Sequence, residues 1–153
     1  MKKLCILISA VLFLSACEQE NLVDTDGNAD IFKEKPQATT DKTKITGLWE
    51  SYGVFDGTMS QKVRIRFDQK QEKVTLGSEC KYTDGTTLYA QVEAPAVFKN
   101  NGAEITAADQ DYSAKQNGSI KYECFASLVP VFLKIGLNGK INLEDFTLGK
   151  IAD

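Results

Sequence analysis

Over residues 45–151 the chain alternates apolar and polar residues with a period of two, and short polar turns interrupt this alternation. In residues 61–68, Val63, Ile65 and Phe67 fall on one side of an extended chain, and charged residues fall on the other. Such alternation is typical of a strand that is buried on one face. The same pattern predicts four further inward faces: Val74, Leu76, Ser78, Cys80 and Tyr82; Leu88, Ala90 and Val92; Ile120, Tyr122, Cys124 and Ala126; Val131, Leu133, Ile135 and Leu137.

Tight turns separate these segments. Five Asx-Gly dipeptides accept the positive φ angles that hairpins require, and residues 68–73 form a sixth polar connection. Residues 127–135 are the stretch in which a helix remains an alternative to strand. We predict an all-β fold, a small antiparallel up-and-down barrel of about eight strands, with a β-sandwich as the alternative. The dipeptides are Asp56-Gly57, Asp84-Gly85, Asn101-Gly102, Asn117-Gly118 and Asn138-Gly139.

The N-terminus has the three parts of a secretory signal. Lys2 and Lys3 precede an apolar run at residues 4–13, and small residues follow at 15–16. The run is shorter than the roughly 20 residues that a membrane-spanning helix needs. We therefore expect residues 1–16 to be a signal peptide that is removed on export.

Leu14-Ser15-Ala16-Cys17 resembles the lipobox of bacterial lipoproteins. The resemblance implies that Cys17 becomes the first residue of the mature chain and carries the lipid anchor. Glu18 follows, where an Asp would favour the inner membrane, so the resemblance implies the outer membrane, with the protein facing the periplasm. Several acyl chains hold a protein on a bilayer where one does not. The alternative is a secreted protein in which Cys17 pairs with another cysteine.

Two cysteines remain once Cys5 is assigned to the signal and Cys17 to the lipobox. Cys80 and Cys124 lie on predominantly inward faces, and the cell envelope is an oxidising compartment in which disulfides persist. We therefore predict a disulfide between them. A metal pair and a reactive thiol are the alternatives, although two cysteines in a chain without histidine make a poor zinc site.

Composition divides the mature chain into a tether and a domain. Residues 17–44 contain few large apolar side chains, so we expect a lipidated, flexible tether, followed by a disulfide-stapled β-barrel domain at residues 45–153.

Residues 24–30 place oxygen ligands at alternate positions, as a calcium loop does. However, Ala29 and Lys35 stand where an EF-hand requires glycine and glutamate. We predict neither a metal nor a cofactor.

Charge and residue types exclude several functions. Removal of Lys2 and Lys3 leaves 16 basic and 21 acidic residues, a net charge of −5, which argues against nucleic-acid binding. The sequence has no histidine, so Ser-His-Asp and Cys-His catalysis are excluded. A carboxylate pair could still act as acid and base, but the sequence singles out no such pair. We therefore predict that the protein is not an enzyme.

The domain opens with Ile45-Thr46-Gly47-Leu48-Trp49-Glu50, and this Gly-x-Trp motif resembles that of the lipocalin and lipocalin-like families. In those families the glycine and tryptophan close the floor of the barrel, which implies that role for Gly47 and Trp49. Many lipocalins also pack a late arginine over the tryptophan. The only arginines here, Arg64 and Arg66, come early in the domain.

The lipocalin resemblance implies a barrel that binds a small apolar ligand. The inward residues would then line the site: Val63, Ile65, Phe67, Leu88, Val92, Ile120 and Tyr122. The alternative is a filled core in a protein-interaction module, either an inhibitor or an accessory for envelope assembly. The expected partners are thus the membrane, through the N-terminal lipid, and a small apolar ligand or an envelope protein.

Overall fold

A computed structural model describes residues 30–38, 41–55, 57–143 and 146–153, without the side chains of Val54 and Phe55. The predicted signal peptide, the lipid attachment at Cys17 and most of the calcium-like pattern lie outside the described residues. None of the helices in the described ranges is long and apolar enough to cross a membrane.

The described residues form one short 3-10 helix at Asp30–Phe32 and ten strands. The stretch at residues 127–135 is strand rather than helix for most of its length. The strands are β1 (Gly47–Phe55), β2 (Met59–Asp68), β3 (Lys73–Tyr82), β4 (Thr87–Lys99), β5 (Gly102–Ile105), β6 (Asp109–Asn117), β7 (Ile120–Leu128), β8 (Val131–Lys134), β9 (Ile141–Leu143) and β10 (Phe146–Ala152).

Eight strands form one antiparallel sheet in the order β8-β5-β4-β3-β2-β1-β10-β9. Its two edge strands, β8 and β9, approach each other, so the sheet curls into a nearly closed barrel. The predicted all-β antiparallel barrel of about eight strands is confirmed. The remaining strands, β6 and β7, form a separate two-stranded ribbon between β5 and β8 along the chain. This ribbon packs on β3 and β4.

The barrel interior is filled by alternate residues of the strands, as the period of two predicts. Trp49 is fully buried, and its indole nitrogen donates a 2.8 Å hydrogen bond to the carbonyl of Ile45. Gly47 has a φ of 106°, and a Cβ atom there would lie 2.3 Å from the carbonyl oxygen of Ala152. Both residues of the Gly-x-Trp motif therefore have structural roles where β1 begins beside the end of β10.

The outer face of the barrel is covered in one place by the N-terminal strap, defined as residues 30–38. Ile31 is buried in a small second core with Leu48 and Ala152. The strap crosses β3 at Gly77, where an added Cβ would lie 2.5 Å from the Ile31 side chain. Glycine therefore allows the strap to approach the sheet closely. Farther along, the amide of Gln37 donates a 2.9 Å hydrogen bond to the carbonyl of Ile151.

Arg64 on β2 holds the strap. Its Nη1 donates to the carbonyl oxygens of Ile31, Phe32 and Glu34, at 3.1, 3.3 and 2.8 Å. Its Nε donates at 2.7 Å to Glu50 on β1. The guanidinium also lies 5.5 Å from the centre of the Phe32 ring. A buried guanidinium is stable only when charge and hydrogen bonds compensate its lost hydration, and here a carboxylate and three carbonyls do so.

Residues 30–38 belong to the predicted flexible tether at residues 17–44, and in the structure they pack on the barrel. Most of these residues are polar, yet they pack on the barrel because Ile31 is buried against it and Arg64 binds the backbone carbonyls of the strap. Arg66 adds an ion pair to the Glu34 side chain. The residues that pack on the barrel therefore include some that precede the predicted domain boundary at residue 45.

Replacement of Arg64 by methionine is expected to lower the free energy of unfolding by about 2–3 kcal/mol, because Glu50 and three carbonyls lose their donor. The strap should also loosen, so hydrogen exchange at the Gln37 amide should accelerate. The matched control is Lys73→Met, which breaks an exposed cross-strand pair with Glu93 and should cost less than about 1 kcal/mol. Equal losses in urea titrations, with unchanged exchange at Gln37, would contradict the role assigned to Arg64.

Candidate functional site

A disulfide fastens the ribbon to the barrel. Cys80 on β3 is bonded to Cys124 on β7, with 5.6 Å between their Cα atoms, as the inward faces of both strands predicted. Both cysteines are buried in a small cluster with Leu88 and Tyr122. The bond therefore sets the position of β7 over the inner face of β3.

Polar contacts support the disulfide at the same end of the barrel. The Tyr82 hydroxyl donates to the carbonyl of Glu123 at 2.7 Å and accepts from its amide at 2.8 Å. The Tyr122 hydroxyl donates to the carboxylate of Asp84. This hydrogen bond lowers the pKa of Asp84 and raises that of Tyr122. The turn between β3 and β4 is thereby attached to β7.

A cavity of about 380 Å³ lies between the inner faces of β2 and β3, the second half of β7, and the strands that follow it. Its volume falls within the range of sites that hold small organic ligands. Gln61 and Val63 come from β2, and Leu76 and Ser78 come from β3. The other lining residues are Phe125, Ala126, Ser127, Leu128, Val129, Val131, Leu143 and Phe146.

The lining is mainly apolar, with three polar side chains: Gln61, Ser78 and Ser127. The side-chain amide nitrogen of Gln61 donates a 3.1 Å hydrogen bond to the Ser78 hydroxyl. Among the described residues, none that lines the cavity is charged. A mainly apolar cavity with a few fixed hydrogen-bonding groups is typical of sites for small molecules.

The mouth of the cavity is rimmed by exposed apolar side chains. Phe125 is 49% exposed, Val129 51% and Val131 37%. Each of these residues also lines the cavity, so the apolar surface continues from the interior to the rim. A ligand that entered the cavity would cover part of this surface and remove it from water.

The structure separates the seven residues that were predicted to line a ligand site. Val63 lines the cavity, whereas Ile65, Phe67 and Val92 belong to the filled core. The other three lie elsewhere: Leu88 and Tyr122 pack around the disulfide, and Ile120 is 57% exposed. The prediction for Ile120 is wrong because Ile120 pairs with Asn117 at the turn end of the ribbon, where neighbouring strands no longer cover its side chain.

Sequence reasoning missed most of the cavity lining. A signal was available for Gln61 and Ser78, because each is a polar residue that continues an otherwise apolar inward face. Such positions predict either a buried hydrogen bond or contact with a ligand. The residues of β7 to β10 gave no comparable signal, since their approach to β2 and β3 depends on the three-dimensional path of the chain.

Within the described ranges, no group of three or more Cys, Asp or Glu side chains is arranged to hold a metal ion. Comparison of the chain with known protein families, characterised proteins and solved structures finds no match.

Loss of the disulfide is expected to lower the free energy of unfolding by about 4 kcal/mol, from the chain entropy released by a separation of 44 residues. Urea unfolding of the double variant Cys80→Ser/Cys124→Ser would measure this loss. Reductant should destabilise the wild type to a similar extent. The double variant should not respond to reductant, which controls for effects on Cys5 and Cys17. A loss below about 1 kcal/mol would contradict a major role for the bond.

Proposed function

We propose that this protein is an envelope lipoprotein that binds a small, mainly apolar ligand in the cavity between β2, β3 and β7. The observation that carries the proposal is the cavity itself, with about 380 Å³ of space, mainly apolar walls and exposed apolar side chains at its opening. Burial of apolar ligand surface in such a site supplies binding free energy of about 25 cal/mol per Å² before the costs of association.

A filled core and a ligand site are compatible in this barrel. Most inward residues of the barrel, including Trp49, Ile65 and Phe67, are buried and packed against one another. The cavity occupies the space beside them, where the ribbon approaches β2, β3 and the strands β8 to β10 of the barrel. A filled core therefore does not argue against ligand binding.

The lipocalin-like character of the barrel is part of the proposal. It is supported by the antiparallel sheet and by the buried Trp49, two residues after a glycine with positive φ. Lipocalin-like barrels hold small apolar molecules, and this class of ligand suits the cavity lining.

The location is proposed from the sequence Leu14-Ser15-Ala16-Cys17 and from Glu18. Lipid on Cys17 would anchor the chain to the outer membrane, with the barrel in the periplasm. Twelve residues separate Cys17 from the strap, and a fully extended chain spans at most about 3.6 Å per residue. The strap would therefore begin within roughly 47 Å of the anchored residue, close to a source of apolar molecules.

Metabolic labelling with radioactive palmitate tests the anchor. The wild-type protein in its own host should incorporate label, and Cys17→Ser should not, because the serine hydroxyl does not replace the thiol in lipid transfer. The matched control is Cys5→Ser, which removes a thiol from the predicted signal and should leave labelling unchanged. Equal labelling of Cys17→Ser and the wild type would rule out this anchor.

A substitution at the cavity mouth tests ligand binding. Val131→Trp should narrow the mouth and weaken the binding of the neutral probe N-phenyl-1-naphthylamine at least about tenfold, measured by fluorescence. Val97→Trp makes the same change at a valine of β4 that is 52% exposed and does not line the cavity, so binding should be retained. Similar affinities of the two variants would show that the probe binds elsewhere.

The exposed rim also favours a second function, a protein-interaction module. Phe125, Val129 and Val131 are apolar and exposed, and such surfaces often mark contacts with other proteins. Crosslinking in intact envelopes, with a photoreactive group at residue 125, would test it. A single partner captured at residue 125 but not at residue 97 would support this function. Capture of no partner would contradict it.

A further inference from the structure

The cavity contains an uncharged hydrogen-bonding pair. Gln61 and Ser78 come from neighbouring strands and are joined by the 3.1 Å hydrogen bond from the amide nitrogen to the hydroxyl. Ser78 is buried, whereas Gln61 is partly exposed to the open space. Within the described part of the chain, the Oε1 atom of Gln61 receives no hydrogen bond.

This pair can accept one hydrogen bond and donate another to a ligand. The Oε1 atom of Gln61 is an acceptor, and the Ser78 hydroxyl proton is a donor. If the Gln61 side-chain amide has the opposite orientation, its nitrogen donates to the ligand and the Ser78 oxygen accepts a hydrogen bond from the ligand. In either orientation the pair matches a neutral group, such as a hydroxyl or a carboxamide.

The surroundings disfavour a charged ligand. The ionic pair nearest in sequence, Lys62 with Glu79, lies on the opposite face of β2 and β3, and its two members are 3.0 Å apart. Every lining residue that the structure describes is uncharged. Among these described residues, a carboxylate or an ammonium ion would lose hydration without gaining an opposite charge, which costs much more than burial of a neutral group.

We propose that the ligand is a neutral single-chain amphiphile, an alkyl or acyl chain that ends in a hydroxyl or amide group. This inference rests on the proposed function of the cavity and specifies its ligand. The chain lies against Val63, Leu76 and Leu128, and the polar end meets Gln61 and Ser78. Fatty acid anions and alkylammonium ions of the same length bind more weakly.

Displacement of N-phenyl-1-naphthylamine by decanol, decanoate and decylamine at neutral pH tests the inference. Decanol should bind at least about tenfold more tightly than either ion. Ser78→Ala, which removes only the hydroxyl, should weaken decanol binding about fivefold relative to the wild type.

A charge placed in the cavity should invert this selectivity. Gln61→Glu should make decylamine the tightest of the three ligands, because the new carboxylate would pair with the ammonium group. Gln71→Glu makes the same change in the exposed turn between β2 and β3 and should leave the order of affinities unaltered. This control separates a local effect from the change in net charge.

The outcomes distinguish the inference from the function on which it rests. Decanoate binding as tightly as decanol, or an unchanged order of affinities in Gln61→Glu, would overturn the neutral-ligand inference and leave the ligand-binding function standing. Failure of the probe and of all three amphiphiles to bind the wild type would overturn both.

Discussion

The bond between Cys80 and Cys124 is the constraint on which the candidate site depends. It joins the inner face of β3 to β7, two strands that share no backbone ladder. One wall of the cavity comes from β2 and β3, and another comes from the four residues of β7 that follow Cys124. Without a fixed distance between these walls, the ribbon could collapse onto the barrel or separate from it, and the cavity would have no defined shape.

Arg64 imposes a second constraint, on the outside of the barrel. Its guanidinium donates hydrogen bonds to carbonyl oxygens of the strap and so holds the strap on the sheet. The only large apolar side chains of the strap are those of Ile31 and Phe32. The strap would therefore shorten the connection between the barrel and the proposed anchor at Cys17. In the proposed lipoprotein, the disulfide would shape the ligand site and Arg64 would determine how near the membrane that site lies.

The sequence predicted what depends on local pattern. The strands and the barrel were predicted from the alternating pattern in β2 and β3 and from the Asx-Gly turns. The disulfide was predicted because Cys80 and Cys124 both lie on inward faces. The packing of the strap was not predicted, because it depends on Arg64. Arg64 lies among the charged residues of β2, and the alternating pattern predicts that these residues face solvent. Ile120 was predicted to face inward because the alternating pattern of residues 120–126 begins before the strand reaches the packed core. The cavity was missed because it depends on space left unfilled between strands far apart in the sequence, and periodicity carries no information on volume.

The central claim is that a neutral amphiphile occupies the space between β2, β3 and β7. A titration of the purified protein with decanol, followed by methyl-resolved NMR, tests it most directly. The account predicts saturable shifts at the methyl groups of Val63, Leu76 and Leu128, with no change at Ile31 and Leu48 beneath the strap. Absence of saturable shifts, or shifts centred on Ile31 and Leu48, would contradict it.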